Sequence, residues 1–261
     1  MPLKAIIMPT HIPNEKYIDH CVNAIDTFWP NHATVWVLSD RGRYRYKNSI
    51  VIKSPHWVEV LKKGIDELLR RNILKKDDYI LLIHEDHIPI RKVPEKIITL
   101  VVDYAGKKGL KFISLTGHGG FLKVDEIDGL ELFSLQDDFK YYSEHHPAIL
   151  HVGHLLDIME KAILLNYLDP WKSEHIKIPN VTHYTLGGYH RENYVWPSSF
   201  SGFLILGHVN IEAARQMKSQ SLSVLKRMLI IDWIIQLPGY IINRLNIWLK
   251  QFFARYCSKN L

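Results

Sequence analysis

Cysteine is scarce in this 261-residue chain: only Cys21 and Cys257 occur, near opposite ends. Two such distant residues supply neither a disulfide framework nor a metal-ligand spacing, and they suit a reducing, cytoplasmic setting. Long apolar runs are missing as well. No stretch reaches the roughly 18 uninterrupted apolar residues of a membrane-spanning helix, and residues 1–10 are too short and too strand-like for a secretory signal. Histidine is plentiful, with 15 residues, yet no His-Glu-x-x-His pair occurs, so His145, His146 and His175 are not expected to bind zinc. No Gly-x-x-x-x-Gly-Lys sequence is present either, and Gly119-Gly120 reads as a turn rather than a phosphate cradle.

A charge imbalance is absent from most of the chain. The net charge is +6, and residues 218–261 account for all of it: Lys218, Lys226, Arg227, Arg244, Lys250, Arg255 and Lys259 stand against Asp232 alone. Residues 1–217 are balanced, so the basicity belongs to the tail and says little about nucleic acid binding by the body, for which no nucleic acid partner is expected. On a helical wheel, Ile241, Ile242, Leu245, Trp248, Leu249, Phe252, Phe253 and Tyr256 share one wide face, and Arg244, Lys250 and Arg255 lie on the other. That pattern suits an anionic membrane surface, and equally a helix docked on protein.

What the chain does have is an alternation of strand and helix signals. Residues 4–8, 34–38, 50–53, 79–83 and 112–115 read as buried strands. Residues 14–28 (Asn14 as N-cap), 57–71 and 96–104 read as helices between them. The spacing predicts an α/β fold with a mostly parallel sheet flanked by helices, followed by the amphipathic tail. Farther on, residues 130–135, 148–152 and 182–184 read as strands, and 189–203 as a loop. Residues 155–168 read as a helix ended by Asp169-Pro170. The expected organisation is a catalytic body over 1–217, divided into halves 1–120 and 121–217, and a tail over 218–261.

In open α/β sheets, ligands sit beyond the carboxyl ends of the strands. Three such ends carry polar groups here: Pro9-Thr10-His11, Ser39-Asp40-Arg41 and His84-Glu85-Asp86-His87. Asp40 is suited to a ribose or base. Glu85 and Asp86 are hard-oxygen groups suited to Mg²⁺ or Mn²⁺ on a diphosphate, or to sugar hydroxyls directly.

Tyr79-Ile80-Leu81-Leu82-Ile83-His84-Glu85-Asp86-His87 resembles the apolar strand and acidic motif of GT-A (Rossmann-like) glycosyltransferases, and residues 1–120 resemble that class in layout. A strict Asp-x-Asp is absent, which leaves both metal-dependent and metal-independent chemistry open. The resemblance implies a nucleotide-sugar donor bound by Thr10, His11, Asp40, Arg41, Glu85, Asp86 and His87, with Glu85 and Asp86 as the metal ligands. It also implies a catalytic carboxylate in the second half, where Asp169-Pro170-Trp171-Lys172-Ser173-Glu174-His175 offers Glu174 as general base. In an inverting transfer this base faces the side opposite the leaving diphosphate. Trp171 and His175 would contact the acceptor, Trp171 by stacking on a sugar face. Arg91, Lys172, Arg191 or His118 would steady phosphates. The implied setting is bacterial polysaccharide or lipopolysaccharide assembly with a glycan or lipid-linked acceptor, at the inner face of the plasma membrane. Two rivals differ in kind. A sugar-phosphate nucleotidyltransferase needs a glycine-rich loop after the first strand, which Pro9-Thr10-His11-Ile12-Pro13 lacks. A non-catalytic binding protein on the same fold predicts that the candidate carboxylates do not share a cleft.

Overall fold

The structure is a computed structural model of the chain. It describes residues 2–10, 18–40, 46–85, 87–89, 91–116, 120–136, 142–143, 147–187 and 195–197, together with two short strands at 204–205 and 208–209. The chain divides into two compact units, Met1–Phe200 and Ser201–Leu261. In the second, the described residues form an antiparallel pair, Leu204–Ile205 with His208–Val209. The expectations for the tail at 218–261 lie outside the described residues.

The first unit opens with β1 (Ala5–Thr10), α1 (Ile18–Phe28), β2 (Val35–Ser39), β3 (Ser49–Val51), α2 (Trp57–Arg70) and β4 (Tyr79–Leu82). It continues with α3 (Glu95–Lys108), β5 (Phe112–Ser114), β6 (Gly120–Ile127), β7 (Leu130–Leu135), β8 (Ala148–His151), α4 (Val152–Leu164), α5 (Pro170–Ser173) and β9 (Tyr184–Leu186). The strands form one sheet in the order β3-β2-β1-β4-β8-β5-β9-β7-β6.

Every pairing among β1 to β4 is parallel. Beyond β4 the sheet is mixed, because β8 enters antiparallel between β4 and β5, and β7 runs against β9 and β6. Followed through these registers, seven of this sheet's nine strands run one way, and β7 and β8 oppose them. The largely parallel α/β sheet is therefore present. β1 and β4 are buried along their whole length, as strands covered on both faces must be, and this is why they read as unbroken apolar runs.

α2 packs on the sheet through Trp57, Val60, Leu61, Ile65 and Leu68, and lies beside α4 in one apolar core. Lys62 pairs with Glu160 at 3.5 Å, and the backbone N–H of Val58 donates to the Leu168 carbonyl at 3.2 Å. The two helices thus run antiparallel, with the start of α2 beside the end of α4. Gly64 permits their close seating on the sheet: a Cβ there would stand 2.6 Å from Leu38 Cδ1.

Three local expectations change. The helix expected over 155–168 begins earlier, at Val152, where the His151 ring accepts the His154 N–H. It ends earlier too, because Asn166 takes a left-handed φ of 56°. Asp169-Pro170 does not end that helix but starts the next, with Asp169 as N-cap and Pro170 in the first turn. The hairpin β6–β7 has only its second strand in the sequence expectation. Its turn, Asp128-Gly129, has φ of 51° and 83°, the two-residue turn that an Asp-Gly pair favours.

Candidate active site

Because β1, β2 and β4 are parallel and in register, their carboxyl ends share one edge. Thr10 lies opposite Ser39, and Ile7 opposite Leu82. Thr10, Asp40 and the His84-Glu85 segment therefore emerge on the same side of the sheet. Thr10 is buried, and its hydroxyl has no hydrogen-bond partner among the described residues. Trp57, the first residue of α2, stacks on His84 at 5.2 Å with the rings 28° apart. The beginning of α2 is thereby tied to the end of β4.

A cleft of about 540 Å³ opens at this edge. One wall comes from the β2 end and the α2 start: Asp40, Pro55, His56 and Trp57. The other comes from the turn after α4 and from α5: Asn166, Leu168, Asp169, Pro170, Trp171 and Lys172. Asp40 and Trp57 are buried, whereas Trp171 is 71% exposed.

The second wall is short and held from below. Asp169 Oδ1 accepts the Lys172 backbone N–H at 2.8 Å, and its Oδ2 lies 3.6 Å from Lys172 Nζ. Behind α5, the Ser143 N–H donates to the Glu174 carbonyl at 2.9 Å. Ser143 follows Tyr142, whose ring stacks on His183 at 4.5 Å. His183 lies between Tyr142 and Phe112, the latter stacked at 4.3 Å. His183 Nδ1 is 2.7 Å from the Tyr142 carbonyl, which can only accept, so Nδ1 carries the proton. His183 Nε2 is then the acceptor for His154 Nε2–H, 2.6 Å away. Burial pushes His183 down to about 3 and His154 down to about 4, each further lowered by a neighbouring histidine. The neutral pair is a buried brace for the segment that carries α5.

The residues expected from the sequence divide clearly. Asp40, Trp171 and Lys172 meet in the cleft. Glu85, His87 and Glu174 are buried and do not line it. His175 is exposed, also outside the lining, and Arg91 likewise. Trp196 donates its indole N–H to the His87 carbonyl at 2.8 Å, which anchors that loop. His11, Arg41, Asp86, His118 and Arg191 lie outside the described residues. Among the described residues, no three His, Cys, Asp or Glu side chains gather as a metal site. Sequence reasoning missed His56, Asn166 and the carboxylate of Asp169. Pro55-His56 at a strand-to-helix junction was a usable signal. So was Asp before Pro, which marks a helix start as readily as a stop.

No family model and no curated protein matches the sequence. A similar solved chain is the one in "Crystal structure of 4-diphosphocytidyl-2C-methyl-D-erythritol synthase". It is 14% identical, the match covers 69% of this chain and 94% of that one, and the TM-score is 0.39. A likeness of that size assigns no activity to this chain.

Proposed function

We propose that this chain is a glycosyltransferase that moves a sugar from a nucleotide-diphosphate donor to a hydroxyl acceptor. The observation that carries this reading is a single cleft, at the carboxyl edge of a largely parallel sheet, lined by Asp40 on one side and Trp171 on the other. Ligands of open α/β sheets sit at that edge. The buried Asp40 wall suits the nucleotide: its carboxylate accepts hydrogen bonds from ribose or base. Trp171 suits the acceptor, since an indole face covers the C–H surface of a sugar.

Asp169 is the carboxylate on the acceptor side, and the base role passes to it from Glu174, which is buried and does not line the cleft. Asp169 takes the proton from the acceptor hydroxyl as the acceptor oxygen bonds to the anomeric carbon. The bond from that carbon to the diphosphate breaks, and the nucleoside diphosphate leaves with the electron pair. Lys172, whose ammonium lies 3.6 Å from Asp169 Oδ2, steadies that carboxylate on the acceptor side. The setting we favour is surface-glycan or glycolipid assembly at the cytoplasmic face of a membrane. Glu85 and Asp86 remain the ligands to test for Mg²⁺ or Mn²⁺.

A thermal-shift screen of nucleoside diphosphates, with and without Mn²⁺, tests the reading, because a ligand that binds only the folded state raises its melting temperature. At least one diphosphate should stabilise the chain, and Asp40→Asn should remove the effect. Stabilisation by nucleoside triphosphates alone would favour nucleotidyl transfer, and no stabilisation would contradict a nucleotide site.

A further inference from the structure

Four large apolar side chains project from the acceptor wall. Leu164 is 84% exposed, Leu165 47%, Tyr167 36% and Trp171 71%. They follow one another closely in the chain. Leu164 ends α4, Asn166 turns the chain with its positive φ, and α5 begins three residues after Tyr167. Asn166, Leu168 and Trp171 line the cleft, so the apolar residues of this turn flank it.

We propose that this apolar turn is a contact with an anionic lipid bilayer, and that it presses the mouth of the cleft against the headgroup layer. The residue types are those of the membrane interface: leucines that enter the acyl boundary, and Tyr and Trp whose amphipathic rings rest at headgroup level. Four side chains fall short of the roughly 800 Å² per partner that a stable protein interface buries, whereas a bilayer requires no such area. Stable anchoring takes two signals. The second is in the sequence, where residues 218–261 hold the chain's entire positive excess on an amphipathic pattern, and basic segments of that kind are drawn to anionic headgroups. The lipid contact stands on these features alone. Its consequence, that the acceptor reaches the cleft from the bilayer, rests on the transferase reading.

The test is co-sedimentation of the full chain with vesicles of phosphatidylcholine and phosphatidylglycerol, compared with its Leu164→Ser, Leu165→Ser double variant. Wild type should partition onto these vesicles, and the double variant should partition on the order of tenfold less, from the loss of two leucines' apolar area. Both positions are exposed, so the variant should melt with the wild type. Equal partitioning of the two proteins would overturn the proposal by leaving the tail as the sole contact. So would a wild type that stays in the supernatant, or a lipid-free self-association that the double variant abolishes. Nucleoside diphosphate stabilisation, measured on the same two proteins, reports separately on the transferase reading.

Discussion

The two walls of the cleft are built differently. The β2 and α2 wall is part of the main core: Leu38 and Trp57 are buried, and Trp57 is locked on His84. The α4 and α5 wall is a four-residue helix and a turn, capped by its own Asp169 and braced from behind through Tyr142 and Ser143. One wall is fixed by the fold, while the other presents exposed side chains on a local support. On the proposed reading, the fixed wall takes the nucleotide and the exposed wall takes the acceptor.

The contrast breaks most visibly if chemistry does not reside on the second wall. Asp169→Asn keeps an N-cap, since Asn caps as well as Asp, but removes the proposed base. Transfer should fall by about 10²–10⁴-fold with the melting temperature unchanged, as single-turnover rates and calorimetric melts would report. A smaller rate loss would return the base to another carboxylate.

The brace beneath that wall predicts acid sensitivity. His154 and His183 are held below their ordinary value of 6.5, at about 4 and about 3. Their neutral forms are favoured by folding, so their contribution is fully present above about pH 6.5 and is lost as pH falls towards 4 and then 3. Melting temperature should decline through that window. His183→Phe should melt lower at pH 7, having lost its hydrogen bonds, yet show a flatter decline. An equally steep decline would detach the effect from this pair.

The first wall should respond to packing instead. Gly64→Ala drives a Cβ into Leu38 and should destabilise by about 1–3 kcal/mol, measured by denaturant unfolding. The gain in helix propensity works against this, so a neutral result would mean that Leu38 repacks freely. Trp171→Ala, at an exposed position, should leave stability within about 0.5 kcal/mol while lowering acceptor-dependent turnover and sparing donor hydrolysis.

The same contrast explains what was legible in the sequence. β1 and β4 are covered on both faces and β2 is so except at Trp36, so their apolar runs announce them, and Asp40 follows from its place at a strand end. β6 is an edge strand with Leu122 and Val124 exposed, and its alternation is weaker than the Asp128-Gly129 turn that marks it. The second wall depends on α2 meeting α4 across about a hundred residues of sequence, a tertiary event with no local signature. Glu174 stands out in the sequence as a carboxylate of the 169–175 stretch, but which residues of that stretch line the cleft is decided by the packing of α5.

Isothermal titration of nucleoside diphosphates into wild type, Asp40→Asn and Trp171→Ala tests the division of the cleft most directly. The account predicts that a diphosphate binds wild type and Trp171→Ala alike and binds Asp40→Asn at least about tenfold more weakly, the loss expected for one hydrogen bond to a charged group. Undiminished binding to Asp40→Asn, or loss of binding in Trp171→Ala alone, would contradict it.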